Sequence, residues 1–287
     1  MKTPVIFSRE SFFYLAAVFF LSMITGCATI SSSYDPRAFA DQTAEKAQLI
    51  KESVPTRIFT LTAYSRFKKQ GQPLSIYIEG DGRAWLSKNH LSDDPTPIHS
   101  LVLELTALDP SENVAYLARP CQYSSDPHCD ASYWSDKRFS EEVIASMDQA
   151  VDQLKEKAGA KEVHLIGYSG GAAVSVLIAV RRHDVASLRT IAGNLDPGAV
   201  NQTHHVSPLE GSLDPMDAAD KLSRLPQCHF VGSDDEVVPS FIARAFQKKS
   251  GTNNCIQVIE FKGVNHSKGW KEHWRDVVKK PANCRNQ

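Results

Sequence analysis

Residues 163–171 read Val-His-Leu-Ile-Gly-Tyr-Ser-Gly-Gly, a short apolar run that breaks into Gly-x-Ser-x-Gly and passes, from Ala172 onward, into a small apolar stretch. This pattern dictates a strand, a sharp turn and a helix. The turn forces unusual backbone angles on its central residue and leaves no room for a Cβ where the incoming helix meets the strand. Glycine is therefore required two positions either side of the serine. The product is a hydroxyl, that of Ser169, held clear of the sheet. A pentapeptide this short also arises by chance, so its meaning depends on which other groups the chain can bring to it.

Two further strand ends supply such groups. Cys228 to Val231 reads as a short buried strand running into Gly232-Ser233-Asp234-Asp235-Glu236-Val237-Val238-Pro239, which places a carboxylate at the strand's C-terminal end. Asp235 is the candidate, with adjacent Asp234 as the alternative. Cys255 to Phe261 is another strand, followed by Lys262-Gly263-Val264-Asn265-His266. The order Ser169, Asp235, His266 along the chain differs from the orders used by chymotrypsin-like and subtilisin-like chains.

Together with Ile76 to Trp85, Arg119 to Tyr123, Ala192 to Asp196 and His266 to Trp270, these segments make the chain resemble the α/β-hydrolase superfamily. Within it, the chain is similar to a group of bacterial lipoprotein-type serine hydrolases. The resemblance runs from Arg57 to Val278. It implies a mostly parallel central sheet flanked by helices, a small lid or none, and a Ser169, Asp235, His266 triad acting in acyl transfer or hydrolysis. A triad of this kind needs an oxyanion hole. The expected donors are the backbone N–H of Gly170, directly after the nucleophile, and that of Asp81 or Gly82 in the Gly80-Asp81-Gly82 loop. No cofactor or metal motif is visible. The expected reaction is cleavage of an ester, thioester or amide. A non-catalytic envelope scaffold of the same fold and an acyltransferase are the alternatives.

Alternation of strands and helices supports an α/β reading. The expected order begins with strands over 57–67 and 74–79, a helix over 98–108, a strand over 114–118 and a helix over 141–158. It continues with strand 163–167, helix 171–182, strand 188–192 and helix 216–223, then strand 228–231, helix 239–248, strand 256–261 and helix 268–278. In 141–158, Val143, Met147, Ala150, Val151, Leu154 and Ala158 recur at helical spacing behind a Ser140 cap and the first-turn acids Glu141 and Glu142. Strand ends then gather Glu79 to Gly82, Ser169, Asp196, Asp235 and His266 on one rim. Glu79 and Asp81 have a second reading, as braces of their loop. His164 and His229 fall inside strands and are expected to be packed, whereas His204 and His205 fall in a loop, exposed or lining substrate. Trp270 and Trp274, four apart, read as core. Asp196 to Asp214 reads as a modest lid.

The N-terminus carries Lys2 and Arg9, an almost wholly apolar run from Ser11 to Ile24, and then Ile24-Thr25-Gly26-Cys27. The run is short for a membrane span, and small residues precede the cysteine, so 1–26 reads as a signal peptide ending in a lipobox; an uncleaved anchor helix is the alternative. Resemblance to bacterial lipoprotein signals implies a diacylated Cys27 and a membrane-tethered mature chain. Ala28 in place of Asp implies the outer membrane, facing the periplasm. Ser31 to Ser33 and Asp35-Pro36 read as tether, Arg37 to Glu52 as a surface helix, and 56–287 as the catalytic domain. A net charge of −1 with no basic stripe gives no reason to expect a nucleic-acid partner.

Removing Cys27 from the six cysteines leaves five in an exported chain, an odd number. Cys121 and Cys129 share one polar loop and form the first expected pair. Cys255 with Cys284 is the second, tying the tail to the sheet, and Cys228 with Cys255 competes with it. A metal site from Cys121, His128 and Cys129 is disfavoured because no zinc-type pair-to-pair spacing accompanies them.

Overall fold

The computed structural model describes residues 34–251, 255–280 and 282–284; the apolar N-terminal run, Cys27 and Ser31 to Ser33 lie outside them. The first helix, α1 (Pro36–Lys46), starts where the Asp35 carboxylate accepts a hydrogen bond from the Arg37 N–H at 2.9 Å and proline occupies the first helical position. Asp35-Pro36 is therefore a helix cap and not a tether. The helix also stops at Lys46, short of the expected Glu52. Residues Ile50–Pro55 instead form a strand, β1, paired antiparallel with β2 (Thr60–Phe67), so the sheet begins ahead of residue 56. Only Val54 of β1 is buried, which is why its sequence shows no strand alternation.

The remaining elements follow in chain order. Strand β3 (Leu74–Ile78) leads to a small hairpin of β4 (Trp85–Ser87) and β5 (His90–Leu91), then helix α2 (Leu101–Ala107) and strand β6 (Asn113–Leu117). Next come α3 (Glu141–Ala158), β7 (Val163–Tyr168), α4 (Gly170–Ala179), β8 (Val185–Ile191) and α5 (Pro197–His204). The last units are β9 (Gln227–Gly232), α6 (Phe241–Lys249), β10 (Ile256–Phe261) and α7 (Trp270–Lys279). Helix α3 has the expected bounds. Ser140 caps it, and Gly159, in the left-handed region at φ 59°, ends it. Two expectations fail locally. The segment 216–223 holds only a short 3₁₀ turn, Pro215–Ala218, capped by Asp214, and His204, expected in a loop, is the last residue of helix α5 within the Asp196 to Asp214 segment.

Eight strands form one sheet in the order β1-β2-β6-β3-β7-β8-β9-β10, antiparallel across β1, β2 and β6 and parallel from there on. Strand periodicity divides its side chains between two cores. Ile76, Ile78 and Leu165 face the layer of α3, α4 and α6, with Val143, Met147, Val151 and Phe246 among its buried members. Tyr77, Tyr116, Ile166 and Phe230 face the layer of α1, α2 and α7, where Trp270 and Trp274 are fully buried. Among the described residues no helix is long and apolar enough to cross a membrane.

After β3 the chain moves one way along the sheet to β6, then returns to lay β7 on the other side of β3. Loops diverge at such a reversal and leave a crevice at the strands' C-terminal ends. The loop after β3 and the turn after β7 both lie at those ends.

Candidate active site

The turn between β7 and α4 is as sharp as its glycines require. Ser169 sits at φ 50° and ψ −119°, a conformation that non-glycine residues rarely adopt. A Cβ on Gly167 would meet Ser175 Oγ at 2.5 Å and Ala172 Cα at 2.6 Å, and one on Gly171 would lie 2.9 Å from the carbonyl carbon of Glu79. Backbone bonds hold the strained residue: its N–H donates to Ile191 C=O at 3.0 Å, and its C=O accepts from the N–H groups of Asn194 at 2.9 Å and Ala172 at 3.1 Å. The hydroxyl stands at the N-terminus of α4, where the first amides have no partner within the helix.

His266 and Asp235 meet this hydroxyl in series. His266 Nε2 lies 3.0 Å from Ser169 Oγ, and Nδ1 lies 2.9 Å from Asp235 Oδ2 and 3.2 Å from Oδ1. The Asp235 side chain is wholly buried, and its Oδ1 also accepts from the N–H groups of Val237 and Val238 at 2.9 and 2.8 Å. Asp234 instead turns outward, where it accepts from the Ser233 hydroxyl. Two side chains fix the backbone of His266. The Tyr168 hydroxyl donates to its carbonyl at 3.2 Å, and Trp270 Nε1–H donates to the carbonyls of His266 at 3.0 Å and Asn265 at 2.9 Å. Burial pushes the Tyr168 phenol well above the ordinary tyrosine range, so it remains a donor. Trp270 is thus core, as its spacing suggests, and also a brace of the imidazole's loop.

The loop after β3 borders the nucleophile. Gly80 comes so close to Ser169 that a Cβ there would lie 3.2 Å from the serine Cβ. Among the described residues, neither the Asp81 nor the Gly82 N–H has a hydrogen-bond acceptor. The Glu79 carboxyl, 2% exposed, accepts from the Gly80 N–H at 2.9 Å, from Tyr116 at 2.9 Å and from Ser100. Burial raises its pKa against the pull of these donors. The Asp81 side chain pairs with Arg119 at 2.6 Å and Arg138 at 3.3 Å, and both guanidiniums lie over the Phe139 ring. Both acids therefore brace the loop with their side chains. Arg119 belongs to a segment that carries the resemblance and Arg138 to none, but the role of neither is legible in the sequence, since it depends on a fold that brings 119 and 138 beside 81.

Other candidates have structural posts. Asp196 caps α5 through the Ala199 N–H at 2.9 Å. His164 bonds Ser187 at 2.7 Å and His229 bonds Thr190 at 2.9 Å, both within the sheet. Cys121 is bridged to Cys129 and Cys255 to Cys284, and Cys228, buried in β9, belongs to neither bridge. A cleft of about 870 Å³ opens beside Asp81 and Arg138, between the β4–β5 hairpin with Trp85, Leu86 and Leu91 and the segment from His204 to Leu209. His204 Nε2 also reaches the Val237 carbonyl at 2.8 Å, joining that segment to the loop of Asp235.

No protein-family model matches the chain, and no curated protein matches it in sequence. Solved structures do match in fold. An esterase of Pyrococcus furiosus superposes with a TM-score of 0.59 at 12% identity, covering 82% of this chain and 91% of its own. Est1E of Butyrivibrio proteoclasticus gives 0.57 at 18%, covering 80% and 96%. A putative α/β hydrolase of unknown function from Agrobacterium tumefaciens gives 0.57 at 15%, covering 80% and 93%. The chain has the α/β-hydrolase fold.

Proposed function

We propose that the chain is a serine hydrolase cleaving an ester, thioester or amide through an acyl-enzyme on Ser169. One observation carries this reading: a serine oxygen, both imidazole nitrogens and a buried carboxylate are hydrogen-bonded in series beyond the C-terminal ends of parallel strands. A serine hydroxyl is a weak nucleophile at neutral pH. His266 Nε2 takes its proton as Oγ attacks the acyl carbon, and Asp235 keeps the imidazole in the tautomer whose Nε2 is free to accept. Charge then develops on the acyl oxygen, and the N–H of Gly170 and of the loop after β3 stabilise it; loss of one such donor costs about 3 to 4 kcal/mol of transition-state stabilisation. His266 next returns the proton to the leaving group. Water repeats the sequence to release the acid, and an alcohol in its place would make the chain an acyltransferase.

The wide cleft beside the loop, with Trp85 and Leu86 each 46% exposed on one wall, suits the apolar part of an acyl ester. We further propose that Cys27 carries a lipid tether that holds the domain at the bacterial outer membrane, facing the periplasm. A fluorophosphonate probe tests the mechanism. It should label the wild-type chain at Ser169 and leave Ser169→Ala unlabelled, and an ester series of increasing acyl length should be hydrolysed only by the former. A Ser169→Ala protein as active as wild type would remove the serine mechanism. An unlabelled wild type would leave a scaffold of the same fold.

A further inference from the structure

We infer that Gln122 is a positioning residue that aims the Asp81 N–H at the acyl oxygen; the inference rests on the hydrolase reading above. Gln122 is 2% exposed, and both ends of its amide are used. Its Nε2–H donates to the Gly80 carbonyl at 3.0 Å, and its Oε1 accepts from the Arg119 N–H at 3.0 Å. One partner is purely an acceptor and the other purely a donor, so the amide has one orientation. The Gly80 N–H is in turn held by Glu79 Oε1 at 2.9 Å. Both polar groups of Gly80 are thereby pinned.

The peptide joining Gly80 to Asp81 is planar and trans, so its N–H points opposite to its C=O. Drawing the Gly80 carbonyl toward Gln122 turns the Asp81 N–H the other way. That peptide begins at Gly80, where an added Cβ would lie 3.2 Å from the Ser169 Cβ, and its N–H meets no acceptor among the described residues. A backbone donor near a nucleophile, with no acceptor among the described residues, is what a site for developing negative charge requires.

The backbone around Gln122 is specialised for this placement. Cys121 and Tyr123 on either side both lie in the left-handed region, at φ 72° and 58°. The Cys121–Cys129 bridge anchors one flank, and the Tyr123 N–H bonds Thr96 Oγ1 at 2.8 Å on the other. A Cβ on Gly82 would lie 2.7 Å from Gln122 Nε2, so the loop closes tightly over the amide.

Gln122→Met is the decisive variant. It keeps the length of the side chain and removes the donor facing Gly80 together with the acceptor for Arg119. The kcat for an activated acyl ester should fall about 10- to 100-fold, with KM changed by less than about threefold. Affinity for an alkyl boronic acid, which places a negative oxygen in the same hole, should fall by a factor similar to that in kcat/KM. A wild-type kcat in the folded variant, or a loss carried wholly by KM, overturns the inference. A second measurement needs no variant: in the wild-type protein, formation of the boronate adduct on Ser169 should move the Asp81 amide proton downfield, and an unmoved Asp81 amide overturns the inference. If the wild type forms no adduct and takes no fluorophosphonate label, the hydrolase reading fails and this inference with it. Adduct formation with Asp81 unmoved removes Gln122's role alone.

Discussion

His229 should make the fold sensitive to mild acid. Its ring lies wholly buried in β9, Nδ1 meets Thr190 Oγ1 at 2.9 Å, Nε2 has no hydrogen-bond partner among the described residues, and the ring packs edge-to-face with Phe246. A proton on Nε2 would place a charge against hydrocarbon, and this burial pulls the pKa from 6.5 down to about 3. The native ring stays neutral in the interval between those values, whereas the unfolded chain's histidine binds a proton. The unfolded state therefore gains with acidity, and the stability present above the upper value is lost as the pH falls toward the lower one. The full effect approaches about 4 to 5 kcal/mol, of which about 2 kcal/mol appears between about pH 8 and about pH 5. His229→Phe removes the titration. It leaves the Thr190 hydroxyl without its ring partner, at a cost of about 1 to 3 kcal/mol that does not vary over this range. Urea unfolding of both proteins across the interval tests the linkage. The stability gap between wild type and variant should narrow by about 2 kcal/mol from the higher to the lower pH, with every other titrating group cancelling in the difference. Parallel curves would refute it.

Asp235→Asn should leave the fold intact and lower kcat by about 10⁴, because an amide no longer selects the imidazole tautomer whose Nε2 accepts; steady-state ester hydrolysis measures it. The two bridges should separate stability from activity. Serine at both 255 and 284 opens a loop with a separation of 29 residues and should cost about 3 to 4 kcal/mol in urea unfolding, while kcat of the folded protein stays within about twofold. Serine at both 121 and 129 opens a loop of separation 8 and should cost about 2 to 3 kcal/mol and also lower kcat, because Gln122 follows Cys121 directly.

The parts of the site that the chain announces are those fixed by local backbone demands. The glycines at 167 and 171 have one physical reason to stand where they do, and it is visible without coordinates. Strand ends at 235 and 266 are similarly legible because short apolar runs mark buried parallel strands. Strand β1 is different. It lies at the sheet's edge with one buried side chain, so Lys51, Glu52 and Ser53 look like helix surface until β2 pairs with them. The β4–β5 hairpin is too short to show a period, and α5 hides in a segment rich in proline, glycine and asparagine because its single turn-forming cap, Asp196, resembles any loop acid. Arg119 and Gln122 fall in a segment that carries the resemblance, yet their roles and that of Arg138 stay hidden for a further reason: each acts through a backbone group or carboxylate 38 to 57 positions away, and the parallel pairing of β3 with β6 brings the loops that carry them together.

The imidazole rides on the outermost parallel strand. Among the described residues β10 has one neighbour, β9, and His266 follows its end by a five-residue step, so the imidazole reaches the serine only where that last ribbon is laid on the sheet's border. On the hydrolase reading, a fragment ending before that ribbon would display its nucleophile with nothing to waken it.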